Sequence, residues 1–404
     1  MSELREKMRK KRQKERLTVL VAFLLSLSLI LVLMLLLFFK SQNAQQPDKQ
    51  PAAIGTEAMS DQKPEAVTIE TPSSPEADPP TPSGIVSENE PEETPESTTL
   101  IFTGDVLLSG YVLDNYNAGG IDGVLSPELL TEMTNADITM INNEFPYSLR
   151  GEQAPDKQYT FRIDPKYVSV LSDMGVDIAG LANNHVLDYG KDALLDTFET
   201  LDRAGIDYVG SGDSFDRASA LITKTVHGKT FGFLAASRVI PVVSWDITNA
   251  APGVFTTYDP AKLCAAIEQA RSQCDYLTVF VHWGIERSEF PESYQRVLAE
   301  QYIDSGADLV VGMHPHVLQG ISYYKDKPIF YSLGNFIFNQ SIPKTALLKV
   351  TIAADNTPTF QLLAANASSA KTSQLEGEEK LAVYRYLESI STDISINEDG
   401  IVSH

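Results

Sequence analysis

The sequence predicts an α/β (α+β) domain in which two β-sheets form a sandwich flanked by helices, preceded by one transmembrane helix. In the first half of the domain, short apolar runs alternate with helical patterns, as in a largely parallel sheet with covering helices. The second half adds two hairpin patterns and a strand-rich end, which a second sheet accommodates. An uncharged run of 23 residues near the N-terminus predicts the membrane helix.

The N-terminal segments predict a membrane anchor. Residues 1–16 carry eight Lys/Arg against three Glu, and residues 17–39 have no charge. As a helix this run measures about 35 Å, enough to cross a bilayer. A cleaved signal peptide is the alternative. However, the run is longer than the apolar core of a signal peptide, and no A-x-A-like cleavage site follows Lys40. The basic flank predicts a cytoplasmic N-terminus and a main domain outside the cell membrane.

Residues 40–98 are predicted to be a disordered, acidic, proline-rich linker. Residues 41–98 hold ten of the 22 prolines, no aromatic residue, and twelve Asp/Glu against two Lys. Such a segment cannot bury enough apolar surface to offset its ordering entropy, and it acts as an extended tether. The folded domain is therefore expected to span residues 99–404.

The charge of the chain limits its partners. The formal net charge is −22, and an acidic domain argues against nucleic acid. An anionic substrate must then be attracted locally, by metal ions or a few basic residues. The candidates for such contacts are Arg150, Arg162, Arg238 and Arg287.

The two cysteines are predicted to be free thiols. Cys264 falls within a predicted helix, 260–271, and Cys274 stands just before a strand. Ten helical residues would separate them by roughly 15 Å, too far for a disulfide, unless the helix ends early.

The elements follow in order along the domain. The first half is predicted to contain strands 100–104, 138–141, 176–182 and 206–209, with helices 127–135, 165–174 and 191–204. In the second half the hairpins are 220–226 with 230–235 and 321–324 with 328–332. The remaining strands are 276–281, 309–312, 347–352 and 359–363, and the helices are 260–271, 292–305 and 379–390. Residues 366–377 are predicted to form a loop.

Five apolar runs end in side chains that bind metals or move protons. These are Asp105, Glu144, the group Asn183, Asn184, His185 and Asp188, then His282, and finally His314 with His316. Open α/β sheets place their chemistry at the carboxyl ends of strands. Carboxylate, imidazole and amide oxygen converging from separate strand ends indicate a metal site.

Alternatives remain for several of these residues. Pro315 is expected to hold His314 and His316 extended, with both imidazoles on one side, although two exposed loop histidines would show the same pattern. His282 alone would more often be a satisfied core residue, and Asp105 could cap a following turn.

The stretch after the third strand has several possible roles. His185 is either a ligand or a general acid acting on the leaving group. Asp188 either orients His185 or caps helix 191–204. Asn183 and Asn335 are candidates for substrate contact, and for Asn335 a turn-forming role fits as well.

Six motifs, in order, resemble the CapA family of bacterial capsule and poly-γ-glutamate synthesis proteins. They are GDVLLSG, INNEFP, LANNHVLDYG, VHWGIE, GMHPHVLQG and YSLGNFIF, and the resemblance covers residues 99 to 338. This family is similar to the calcineurin-like metallophosphoesterases. The resemblance therefore implies a metallophosphoesterase-like sandwich with metals at the strand ends.

The resemblance also implies roles for individual residues. It implies metal ligation by Asp105, Asn184, His282, His314 and His316, with Glu144 bridging and His185 as the acid. One or two divalent ions, Mn, Fe or Zn, are expected. The sequence departs from the phosphoesterase pattern twice: Leu107 stands where Asp-x-His would place a histidine, and Glu144 replaces the bridging Asp. One metal position is thus short of a ligand.

The expected function is that of a membrane-anchored, extracytoplasmic protein of capsule or poly-γ-glutamate synthesis or export, with a metal-dependent hydrolase site. An activated water would attack a phosphorus or acyl centre while His185 protonates the leaving group. The alternative is a non-catalytic subunit of a synthase or exporter that binds an anionic polymer. Expected partners are an anionic polymer or phosphoester, the cell membrane, and synthase or exporter subunits.

Overall fold

The computed structural model describes residues 96–404. The predicted basic segment, membrane helix and nearly all of the predicted linker lie outside these residues. Within 96–404, no helix has the length and apolar character needed to cross a bilayer.

The described residues form eighteen strands. They are β1 Thr98–Val106, β2 Ile138–Asn143, β3 Ile178–Gly180, β4 Asp207–Val209, β5 Ser211–Gly212, β6 Ile222–Val226, β7 Lys229–Ser237, β8 Gly253–Val254, β9 Tyr276–His282, β10 Leu309–Met313, β11 Ile321–Tyr324, β12 Lys327–Phe330, β13 Asn335–Ile337, β14 Ser341–Ile352, β15 Pro358–Ser368, β16 Lys371–Gln374, β17 Ser395–Ile396 and β18 Val402–Ser403.

Eight α-helices accompany these strands in the described part of the chain. They are α1 Gly110–Gly119, α2 Pro127–Thr134, α3 Val168–Asp173, α4 Gly190–Ala204, α5 Phe215–Ala218, α6 Pro260–Arg271, α7 Ser293–Asp304 and α8 Gly377–Ile390. Short 3₁₀ turns cover Gly120–Gly123, Pro165–Tyr167 and Val243–Trp245.

The first sheet has the order β16-β15-β14-β1-β2-β3-β4. Strands β1 to β4 are parallel to one another. On the other side of β1, the strands β14, β15 and β16 are added in turn, each antiparallel to its neighbour. The short β13 pairs in parallel with the last residues of β1, beyond the end of its pairing with β14. The carboxyl ends of β1, β2, β3 and β13 therefore meet at one edge.

The second sheet has the order β11-β12-β10-β9-β7-β6. Its four inner strands are parallel, and the predicted hairpins supply the antiparallel outer strands β6 and β11. Two small two-stranded sheets, β5-β8 and β17-β18, complete the strands.

The two sheets pack face to face through aromatic side chains. The ring of Phe102 in the first sheet lies 6.4 Å from that of Phe233 and 6.5 Å from that of Phe280 in the second. A Cβ at Gly180 would lie 3.0 Å from the Phe280 ring, so this glycine allows the close approach. The predicted two-sheet sandwich is confirmed.

Helices cover the outer faces of both sheets. On the second sheet, Leu277 belongs to the same core cluster as Leu263 of α6 and Leu298 of α7. On the first sheet, Phe198 of α4 stacks on Tyr208 of β4 with ring centroids 4.6 Å apart. Side chains of a strand alternate between its two faces. Phe280 of β9 points into the space between the sheets, and His282, two residues later, therefore points into the same space.

One predicted element is wrong, and one helix was not predicted. The predicted loop 366–377 is wrong, because β15 turns tightly and returns as β16. Ser369 and Ala370 take φ values of 53° and 60°, the left-handed pair that closes a two-residue hairpin without glycine. Helix α1 had no signal in the sequence, because only Val112 is buried and the apolar face is narrow. The two cysteines are free thiols, as predicted.

Candidate metal centre

The strand ends bring the predicted residues together at one edge of the sandwich. In the first sheet, Asp105 at the end of β1 is in register with Asn142 of β2 and Asn335 of β13. In the second sheet, His282 at the end of β9 is in register with Met313, the residue before His314. The edge that carries the candidate residues is therefore built by both sheets.

Two carboxylates and an imidazole form the centre of this edge. Asp105 and Glu144 have no solvent-exposed surface, and His282 is 2% exposed. One donor atom from each of the three lies within 4.8 Å of the others. Glu144 Oε2 has no hydrogen-bond partner among residues 96–404. This group could hold a metal ion, because buried carboxylates need a cation or a set of donors.

The electrostatics of the centre reflect burial and mutual repulsion. Burial raises the pKa of Glu144 well above its usual value, and the Asp105 charge adds to this. Burial lowers the pKa of His282 well below its usual range, with His314 contributing, and lowers that of His314 to about 3. For His316 burial acts in the same direction, but Glu144 and Asp105 outweigh it and raise the pKa to about 10.

The His-Pro-His segment is not extended, and this prediction is wrong. His314 and His316 both have positive φ, 98° and 59°, a region that costs non-glycine residues energy. Both rings nevertheless lie in the site. The ring centroid of His314 is 4.7 Å from that of His282 and 5.7 Å from that of His316. His314 is 4% exposed, so the pair does not sit free on the surface.

The sequence interpretation missed Asn142. Its Nδ2 donates to Asp105 Oδ1 at 2.7 Å and to Glu144 Oε1 at 3.0 Å. Its Oδ1 accepts from Asn183 Nδ2 at 3.1 Å. The available signal was the polar ending of β2, where Asn142 stands two residues before Glu144. An amide placed between two carboxylates holds them at a fixed separation.

The neighbouring asparagines have different surroundings. Asn183 is fully buried; its amide donates to Asn142 and to the Asn143 carbonyl, and its Oδ1 accepts from the His185 amide at 3.0 Å. Its polar atoms thus serve the protein rather than facing a substrate. Asn184 Oδ1 lies 2.9 Å from His282 Nε2, whereas Glu144 Oε1 lies 3.5 Å from Nδ1 of the same ring.

His185 and Asp188 form a pair beside the metal-binding group. Asp188 Oδ2 lies 2.8 Å from His185 Nδ1 and accepts from the Phe161 amide at 2.8 Å. The helix α4 begins without a side-chain cap, so of the two roles considered for Asp188 the geometry favours orienting His185. Burial lowers the pKa of His185.

Lys157 contacts both members of this pair, and nothing in the sequence indicated Lys157 as a site residue. Its ammonium contacts Asp188 Oδ1 and the Asn184 carbonyl, and lies 3.0 Å from His185 Nδ1. The ammonium also sits 5.3 Å from the centre of the Trp245 ring. Burial lowers the pKa of Lys157. A loop far from any strand end supplies this residue, so apolar periodicity could not find it.

The remaining candidates are placed as follows. Asn335 Oδ1 lies 2.8 Å from His316 Nδ1, which faces Asp105 Oδ2 at 3.0 Å. Arg150 forms an ion pair with Asp196, and Arg162 donates to the carbonyls of Arg150 and Gly151. Arg238 stacks on Tyr258, with no carboxylate within ion-pair distance among the described residues.

Comparison with protein families decides what kind of protein carries this site. Residues 99–340 match the family described as bacterial capsule synthesis protein PGA_cap. The chain belongs to this family. The match contains all of the proposed site residues, and the family predicted from the six motifs is therefore confirmed.

Three proteins of capsule or polyglutamate synthesis, by their names, are similar to this chain. The capsule biosynthesis protein CapA of Bacillus anthracis is 32% identical over 72% of this chain and 73% of its own length. The PGA biosynthesis protein CapA of Bacillus subtilis is 32% identical over 65% of this chain and 69% of its own. A probable polyglutamine synthesis accessory protein of Mycobacterium tuberculosis is also 32% identical, over 51% and 57%.

Solved structures give weaker likenesses. A hypothetical protein from Thermus thermophilus has a TM-score of 0.42 and 14% identity, covering 67% of this chain and all of its own. The sulfate thiohydrolase SoxB of Thermus thermophilus has a TM-score of 0.36 and 13% identity, covering 70% and 58%.

Proposed function

We propose that this PGA_cap protein is a membrane-anchored, extracytoplasmic hydrolase of metallophosphoesterase type that serves the synthesis or export of an anionic polymer. The observation that supports the proposal most is the buried group of Asp105, Glu144 and His282, with His314 and His316 beside it. The family membership supports the polymer system.

The residues present fit a divalent metal ion. Glu144 Oε2 and His314 Nδ1 are buried and have no hydrogen-bond partner within the described part of the chain. Carboxylate oxygen and imidazole nitrogen are ligands for Mn, Fe and Zn. Asp105, Glu144, His282 and His314 would hold the ion. Asn184 Oδ1 lies 2.9 Å from His282 Nε2 and would accept a hydrogen bond from a protonated Nε2. Nδ1 of the same ring would then carry no proton and could bind the metal.

The chain's own groups then divide the work of hydrolysis. A bound divalent ion would supply a more acidic water and polarise the bond to be broken. His185 Nδ1 faces Asp188 and Lys157, which leaves Nε2 to carry the proton that passes to the leaving group. Asp188 holds the ring in place through this bond and through the backbone of Phe161.

Metal analysis and assay of the purified full-length protein test this proposal. We expect stoichiometric divalent metal and turnover of a generic phosphodiester or a γ-glutamyl substrate. His185→Ala should lower turnover and leave the metal content intact. Loss of metal from His185→Ala would show that His185 is a ligand instead of the acid.

A second function, a non-catalytic subunit that binds an anionic polymer, has one observation in its favour. Leu107 occupies the position of an expected histidine ligand, and its side chain is 2% exposed within the core. A binding protein would tolerate that loss more easily than an enzyme. Stoichiometric metal without turnover on phosphate or γ-glutamyl substrates would favour this function.

The proposed location has an independent test. With the N-terminus in the cytoplasm and the domain outside, protease added to intact cells should release a soluble fragment that begins within residues 41–98. Protection of that segment would reverse the proposed orientation.

A further inference from the structure

A second cation position near Asp105 lacks the ligand that the sequence pattern would supply. Two residues beyond Asp105, where that pattern has a histidine, stands Leu107, which is buried in the main core cluster. An aliphatic side chain cannot ligate. Any cation held by Asp105 and His316 therefore needs a donor from elsewhere in the chain.

The structure places an amide oxygen at this point. Asn335 is in register with Asp105 across the parallel pair of β13 and β1. Its Oδ1 lies 2.8 Å from His316 Nδ1, and the same nitrogen lies 3.0 Å from Asp105 Oδ2. Asp105 is fully buried. Neighbouring ligands of an octahedral ion at about 2.1 Å stand about 3 Å apart, which matches the distance from His316 Nδ1 to each of the two oxygens.

Two glycines let the turn before Asn335 approach β1. Gly334 has φ of 70°, and its carbonyl accepts from the Asp105 amide at 2.8 Å. A Cβ at Gly104 would lie 1.9 Å from that carbonyl oxygen, so only glycine allows the approach. Ser332 Oγ accepts from the Gly334 amide at 3.1 Å and fixes the turn. The backbone thus holds Asn335 beside Asp105.

We propose that Asn335 ligates a second divalent cation together with Asp105 and His316, in the role left open by Leu107. This inference rests on the proposed metal centre and adds a position to it. The alternative, in which Asn335 only orients His316 from outside, requires a metal on the other ring nitrogen. Asp105 Oδ2 and Asn335 Oδ1 both face Nδ1, so a metal shared with Asp105 meets Asn335 as well.

The donor set also predicts which cation this position prefers. Asp105 and Asn335 offer oxygen, and His316 alone offers nitrogen. The group of His282 and His314 is richer in nitrogen. Because carboxylate and carbonyl oxygens suit Mn²⁺, the position at Asn335 should favour Mn²⁺ relative to the position at His282.

Calorimetric titration of the metal-depleted full-length protein with Mn²⁺, together with electron paramagnetic resonance, tests the assignment. The wild type should bind two Mn²⁺ per chain and show the spectrum of a coupled pair. Asn335→Leu should lose one Mn²⁺ or bind it at least about tenfold more weakly, because even outer partners of a ligand change affinity by about 10- to 100-fold. Asn335→Asp should keep both ions and the coupled spectrum.

The control is Asn366→Leu, a half-buried asparagine on β15 of the same sheet, which should bind as the wild type does. Two unchanged Mn²⁺ in Asn335→Leu would overturn the assignment of Asn335 and leave the proposed function standing. One Mn²⁺ in both the wild type and Asn335→Leu would do the same. A wild type that binds no Mn²⁺, Fe²⁺ or Zn²⁺ would overturn the proposed function with it.

Discussion

The two halves of the site are built on opposite principles. Around Asp105, Glu144 and His314, buried polar atoms face one another and several have no hydrogen-bond partner among residues 96–404. Around His185 and Asp188, each carboxylate oxygen has a donor, from Lys157, Phe161 or His185 itself. The first arrangement is costly by itself, and the second is self-sufficient.

The first group therefore has atoms free to bind a ligand, whereas the residues of the second group are held in position by bonds within the protein. Buried groups without partners gain when a cation arrives, so their substitution should change binding more than folding. Groups whose partners are all internal contribute to the fold already, so their substitution should change stability with or without metal. The following predictions test this division.

Asp188→Asn should give the largest loss of stability. It removes the charge of the fully buried Asp188 carboxylate, which pairs with Lys157, and breaking a buried pair by one partner costs about 3–5 kcal/mol. Thermal and denaturant unfolding of the metal-depleted protein measure it. Asp196→Asn removes a charge from a pair whose Arg150 side chain is 60% exposed, and it should cost much less because solvent screens this pair. Equal losses in the two variants would contradict the division.

Metal should raise the melting temperature of the chelator-treated protein. At about one hundred times the dissociation constant, a bound ion stabilises by about 2.7 kcal/mol, which corresponds to about 4 °C for a domain of this size. His314→Ala and His316→Ala should each reduce the shift. His227→Ala, on the turn between β6 and β7, should not. A wild-type melt that ignores chelator, Mn²⁺ and Zn²⁺ would end the metal interpretation.

Metal binding near neutral pH should release protons. The pKa of His316, raised to about 10, means that the metal-free ring is protonated near neutral pH and must lose this proton to ligate. His316 and Glu144 shift each other's pKa, so they release protons as a pair. Affinity should therefore increase as the pH rises from about 6 to about 8. Calorimetry in two buffers of different ionisation enthalpy counts the protons, and pH-independent binding would contradict it.

Glu144→Gln should have the smallest effect on the metal-free fold. Burial and the Asp105 charge raise the pKa of Glu144 and so disfavour its charged form, and a neutral amide of the same shape should therefore change stability little. The same variant should lose most of the metal-induced shift in melting temperature. A large destabilisation without metal would show that the Glu144 carboxylate supports the fold directly.

The sequence predicted most of the sheet framework because apolar runs and hairpin turns are local signals. The strand ends, in turn, predicted which polar residues meet. Asn142 escaped selection because an asparagine at a strand end resembles a turn residue until its neighbours are known. Lys157 escaped because its contacts depend on where a long loop folds back.

Backbone geometry limited the prediction elsewhere. Pro315 fixes its own φ and favours an extended His314 before it, but the surrounding structure imposes a positive φ of 98° on His314 instead. The β13–β1 pairing involves only three residues of β13, too few for a pattern, and depends on the close approach of Gly104 and Gly334.

The position of β1 has a consequence for how the protein is made. During synthesis β1 to β4 leave the ribosome early, while β13 and β14, which border β1 on its other side, come from the far end of the domain. Pairings of such long sequence separation form late, and until then one edge of β1 is open. Nascent chains that end before Asn335 thus expose the strand that carries Asp105, and a premature stop in this region should yield aggregated protein instead of a shortened folded domain.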